Sequence, residues 1–123
     1  MVRLTIRIDF EAGQQLGPGK VRLLEQIEET GSIRAAAASL KMSYRRAWLL
    51  MQATEQTFGA PLIAASAGGR KGGGASLTPL GKKVARLYRA VERKAGTGAA
   101  RELLSLVHSR YSKAKKPRKT RKK

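Results

Sequence analysis

The sequence holds no cysteine and a single histidine, His108. Disulfides and thiolate metal sites are thereby excluded. A lone imidazole without partner ligands reads as a surface or rim residue. Acids are scarce, eight against 26 Lys and Arg, and they are scattered along the chain. No acid–base pair, metal cluster or nucleophile beside a base can be assembled from this set. An enzyme is therefore not expected, nor any cofactor. Aromatic residues make up 5% of the chain, which argues against stacking platforms for single strands. No run approaches the ~18 uninterrupted apolar residues of a membrane helix. The opening MVRLTIRIDF alternates and contains Asp9, unlike the apolar core of a signal peptide. The expectation is a cytoplasmic protein with no membrane partner.

What the chain has in excess is positive charge. The net charge is +18, too large for an ordinary solvated surface, and it points to a polyanion. Residues 110–123 hold nine Lys or Arg and no acid, while the body keeps seventeen basic against eight acidic residues. A basic body under a basic tail is a better sign of nucleic acid than a tail alone. With 123 residues, 41% of them apolar, the chain has room for one small domain plus appendages.

The first ten residues alternate Leu4, Ile6, Ile8 and Phe10 with polar neighbours, a two-residue period that predicts a strand with one buried face. Glu11 to Pro18 reads as a loop. A helix is expected from about Gly19 to Thr30, with Val21, Leu24 and Ile27 inward and Gly31 ending it. Ser32 suits the N-cap of a second helix, on which Ile33, Ala36, Ala37 and Leu40 form one apolar stripe. Lys41-Met42-Ser43 is the turn, and Ser43 caps a third helix. There Ala47, Trp48, Met51, Thr54 and Phe58 are assigned to the buried stripe. Tyr44, Arg45, Arg46, Leu49 and Gln52 are left outside. Small side chains that let two short helices cross closely, then a helix with basic and polar residues in its first turns, suggest a helix-turn-helix with the third helix as reader.

Pro61 to Ser66 reads as a strand, GGRKGGG over residues 68–74 as a loop, and Ala75-Ser76-Leu77 as a second strand. Five glycines around Arg70 and Lys71 give a low-bulk tip able to approach a sugar-phosphate backbone. Thr78 and Pro79 open a fourth helix. Its apolar stripe is Leu80, Val84, Leu87, Tyr88 and Val91, with Lys82, Lys83, Arg86, Arg89, Arg93 and Lys94 outside. Gly96-Thr97-Gly98 breaks it. Residues 99–108 form a short amphipathic helix through Leu103, Leu104 and Val107. From Ser112 the lysine-rich end is expected to be disordered. The fold class is thus mostly α with a small β wing, a winged helix-turn-helix. Residues 1–95 would form the binding domain, 96–109 a short dimerising helix and 110–123 a disordered basic tail.

Several of these pieces resemble one family. RLLEQIEETGSI, Ala36-Ala37, Ser43-Tyr44-Arg45-Arg46-Ala47-Trp48, Pro61-Leu62-Ile63, GGRKGGG and Leu77-Thr78 with Gly81 are similar to the N-terminal domain of the ModE-type molybdate-responsive regulators, itself LysR-like. The likeness covers about residues 4–95. It implies a homodimer on a palindromic operator in double-stranded DNA, with helix three in the major groove and the wing on the backbone. Carried over by position, Ser43, Tyr44, Arg45 and Arg46 would read or anchor on DNA, with Arg70 and Lys71 as wing contacts. Leu49, Gln52 and Arg34 complete the candidate set. Where family members continue into a molybdate-binding module, a lysine-rich tail stands here, so no small-molecule ligand is expected. The leading expectation is a sequence-specific transcriptional regulator. The alternative is a basic nucleoid-associated or RNA-binding protein without sequence readout.

Overall fold

Side-chain caps and a left-handed glycine decide where several of the elements begin and end. The computed structural model describes residues 3–66 and 74–114. Its helices are α1 (Pro18–Thr30), α2 (Ile33–Ser39), α3 (Tyr44–Phe58), α4 (Pro79–Ala95) and α5 (Ala99–Ala114). Between α3 and α4 lies a hairpin of β3 (Ile63–Ser66) and β4 (Gly74–Leu77), and before α1 a two-residue hairpin of β1 (Ile8–Asp9) and β2 (Gln15–Leu16).

Pro18 starts α1, and Gly31 ends it in the left-handed region at φ 81°, its N–H donating to the Ile27 carbonyl at 2.8 Å. Ser32 Oγ accepts from the Ala35 N–H at 2.8 Å and caps α2. Ser43 Oγ accepts from the Arg46 N–H at 3.0 Å and caps α3. Thr78 Oγ1 accepts from the Gly81 N–H at 3.0 Å to cap α4, and donates to the Pro61 carbonyl at 2.9 Å. Each cap satisfies a helix N–H that would otherwise lack a partner, a contribution of about 1 kcal/mol.

The core is built on α1. Val21, Leu23, Leu24 and Ile27 are fully buried, because α1 packs against α2, α3, α4 and β4 at once. Leu23 therefore joins the inward residues read from the sequence. Ala36 and Ala37 bring α2 close to it, and Ala47, Met51 and Thr54 close the core from α3. Thr54 is buried without penalty because its hydroxyl donates to the Leu50 carbonyl at 2.7 Å. Leu62, Ala75, Leu77, Val84, Ala85 and Tyr88 complete the cluster.

Three expectations need correction. The alternation at the N-terminus is real, with Leu4, Ile6 and Ile8 half-buried between exposed neighbours. Ladder pairing, however, is confined to Ile8 opposite Leu16 and Asp9 opposite Gln15, and the Tyr88 hydroxyl donates to the Ile6 carbonyl instead. The segment read as a loop holds the returning strand, β2, which at two residues is too short to show a period. The last helix runs to Ala114 rather than to residue 108, since no glycine or proline interrupts residues 109–114. Disorder from residue 110 or 112 is therefore overturned as far as Ala114, and residues 115–123 lie outside the described residues. No helix among the described residues is long and apolar enough to cross a membrane.

Candidate nucleic-acid interface

The turn between α2 and α3 sets the site. Lys41 takes a positive φ of 58°, and the Met42 N–H returns to the Ala37 carbonyl at 3.0 Å. The chain thereby turns tightly, and Ser43 arrives at the head of α3. From that cap, Arg45, Leu49 and Gln52 succeed one another at i, i+4 and i+7, within about 60° on the helix circumference. All three are exposed, as are Ser43, Tyr44 and Arg46. Ser43, Arg45, Arg46, Leu49 and Leu50 line a shallow groove along this face. Among the described residues no carboxylate pairs with Arg34, Arg45 or Arg46.

Arg34 comes from α2, yet its guanidinium carbon lies 4.4 Å from the centre of the Tyr44 ring. Two helices thus present a joined pair at the head of α3. Of the candidate residues, Ser43, Tyr44, Arg45, Arg46, Leu49, Gln52 and Arg34 fall on one connected surface. Arg70 and Lys71 lie outside the described residues, so that surface is described without them.

Trp48 corrects the sequence reading. Its hydrophobicity places it in the core, yet it is 46% exposed. The buried stripe of Ala47, Met51, Thr54 and Phe58 centres on the opposite side, and Trp48 sits only about 60° round from Arg45. Hydrophobicity suggested the core; position on the helix put it outside. Gln56, exposed and next in the series i+11 from Arg45, was also missed, though the spacing alone would have found it.

The hairpin is braced to α3 and α1. Glu55, on α3, accepts from the Leu62 and Ile63 N–H groups at 2.9 and 3.2 Å. Glu28, on α1, accepts from the Leu77 N–H at 2.8 Å, and the Ala75 N–H donates to the Gly31 carbonyl at 2.7 Å. Strands β3 and β4 pair antiparallel, Ile63 opposite Leu77 and Ala65 opposite Ala75. At Gly81 a Cβ would collide with the Leu62 carbonyl oxygen, so glycine is what lets α4 close against the backbone just before β3. Arg89, read as an outward cation, is instead held inward. Its guanidinium donates twice to Glu25, at 2.7 and 2.8 Å, and once to Glu92 at 2.7 Å. These hydrogen bonds push its pKa further above the usual arginine range, first through Glu25 and then Glu92.

Comparison with known proteins agrees with this architecture. Residues 19–82 match the family described as "Bacterial regulatory helix-turn-helix protein, lysR family". The chain is 42% identical over 97 residues to the molybdenum-pterin-binding protein MopB of Rhodobacter capsulatus, covering 79% of this chain and 34% of that protein. It is 40% identical over 85 residues to the molybdenum transport protein ModE of Azotobacter vinelandii, covering 69% and 32%. The chain thus spans about a third of the length of these relatives. A crystal structure of the CbnR DNA-binding domain with DNA superposes with a TM-score of 0.57 at 25% identity, covering 72% of this chain and 95% of that one. The fold is a winged helix, mostly α with a small antiparallel hairpin.

Proposed function

The chain belongs to the lysR family of bacterial regulatory helix-turn-helix proteins, and from that premise we propose that it is a sequence-specific, double-stranded DNA-binding transcriptional regulator. The observation that carries the reading is the outward face of α3. Arg45, Arg46, Leu49 and Gln52 stand exposed on a capped helix, and no described carboxylate satisfies the two arginines. Exposed cations with base-edge donors beside an apolar side chain suit the major groove, where guanine offers paired acceptors and thymine a methyl group. The helix N-terminus adds free N–H groups and a positive dipole that suit phosphate. Relatives carrying the names transcriptional regulator ModE and a DNA-bound structural neighbour support the same direction.

The active form is a homodimer. Leu87 and Val91 of α4 are 51% and 41% exposed, and Leu103, Leu106 and Val107 of α5 are all more than half exposed. Among the described residues no α5 side chain enters the buried core, so the apolar faces of α4 and α5 are available to a second copy. A two-fold pair of readers calls for half-sites about 34–36 Å apart or a multiple of that.

The test is selection of duplexes from a random pool by the full chain, with structured RNA as competitor. Enrichment of a shared, two-fold related sequence is the expected result. Uniform recovery, or displacement by RNA at equal concentration, would replace it with the packaging or RNA-binding reading.

A further inference from the structure

Arg34 is the one candidate contact that is not on the recognition helix or the wing, and its placement is unusual for a solvated cation. An exposed arginine has no reason to fold across to another helix unless something holds it. Here the Tyr44 ring does, with the guanidinium carbon 4.4 Å from the ring centre. Stacking uses the flat face of the guanidinium and leaves its in-plane N–H donors free. Among the described residues none of those donors has a partner within the molecule, either a carboxylate or a carbonyl.

From this we infer that Arg34 and Tyr44 form a pre-oriented phosphate clamp bridging α2 and α3, with Tyr44 as the positioning residue and Arg34 as the residue that grips a backbone phosphate of the nucleic acid. The inference rests on the duplex-binding reading above and adds a division of labour to it. A planar guanidinium offers paired donors that match two phosphate oxygens. Its usual handicap is the rotamer freedom lost when a long side chain is fixed. Stacking on Tyr44 removes much of that freedom before the ligand arrives. Tyr44 is the first residue of α3, directly after the Ser43 cap, so the gripped phosphate lies beside the bases that face Arg45 and Leu49. The clamp fixes the angle at which α3 enters the groove and carries no sequence preference of its own.

The test is a double-mutant cycle in the full chain, read as duplex affinity against salt on both a selected sequence and random DNA. Arg34→Ala is expected to weaken both duplexes about equally, roughly tenfold, and to reduce the salt slope by about one unit, the release expected for one phosphate contact. Tyr44→Phe keeps the ring and should retain the coupling to Arg34, recovering most of the affinity that Tyr44→Leu loses. Tyr44→Leu removes it and should weaken binding about three- to fivefold, but cause almost no further loss once Arg34 is already alanine. Additive losses, or an unchanged slope in Arg34→Ala, would overturn the clamp while leaving the regulator reading intact. Because a phosphate grip is sequence-independent, the cycle is equally decisive on random DNA. If no sequence is preferred, the specific-regulator reading fails while the clamp is still judged. A parent chain that binds no duplex overturns both.

Discussion

An arginine is committed to the fold or left free for a partner by what lies within reach of its guanidinium. Arg89 is surrounded: three hydrogen bonds from its guanidinium, two to Glu25 and one to Glu92, knit α1 to α4. Arg45 has an exposed face and no described acid beside it. Substituting each by alanine should therefore separate stability from recognition. Arg89→Ala is expected to lower stability by about 1 kcal/mol, allowing for its one-third exposure, and to shift the thermal midpoint by several degrees. Its discrimination between duplexes should survive. Arg45→Ala should leave the midpoint alone and reduce the preference for a selected over a random duplex by about 1–3 kcal/mol. Calorimetry and competition binding on the same samples check the pair. Two glycines make a similar contrast. Gly81→Ala drives a methyl group into the Leu62 carbonyl and should cost about 1–3 kcal/mol. Gly19→Ala, in α1 with open space around it, should add about 0.5–1 kcal/mol. If the two changes gave the same sign in a denaturant titration, the packing of α4 on the Leu62 backbone would be misassigned.

At the scale of the element, α3 depends on its cap. Ser43→Ala removes the acceptor for the Arg46 N–H and should cost about 0.5–2 kcal/mol. The loss falls on the first turn, so duplex affinity should drop at temperatures where the domain is still folded. Hydrogen exchange at the Arg46 amide, faster in the variant, distinguishes fraying from global unfolding. The same caps explain how much of the fold was legible in the chain. Ser32, Ser43, Thr78 with Pro79, and Gly31 act locally, so residue type alone located the ends of α1, the starts of α2 to α4 and the two wing strands. What escaped was set by distant partners. The hairpin of β1 and β2 is too short to carry a period. Arg89 looks like any outward cation until Glu25, 64 residues away in sequence, is brought beside it. Trp48 looks like core until Ala47, Met51 and Thr54 fix which side of α3 faces α1 and α2. Within the candidate site the arginines were legible by position after the turn, whereas the Arg34–Tyr44 contact depends on how two helices cross.

For the whole molecule, the few acids matter by where they are spent. Glu25, Glu28, Glu55 and Glu92 are engaged with Arg89, with Lys82 at 3.7 Å, or with backbone N–H groups of the hairpin. These carboxylates thus tie elements to one another in a chain whose net charge is +18, and the other cations are left largely uncompensated. Such a field attracts any duplex and falls off with added salt, whereas under the proposed function the choice among duplexes belongs to the face of α3. The two contributions separate in a truncation after Ala114, which removes seven Lys or Arg from residues 115–123. Affinity for selected and random DNA should fall together, the magnitude of the salt slope should shrink, and the ratio between the two affinities should stay within about twofold. Arg45→Ala in the full chain should do the converse, with the ratio collapsing. A truncation that destroyed the ratio would move sequence readout from α3 into the basic end of the chain.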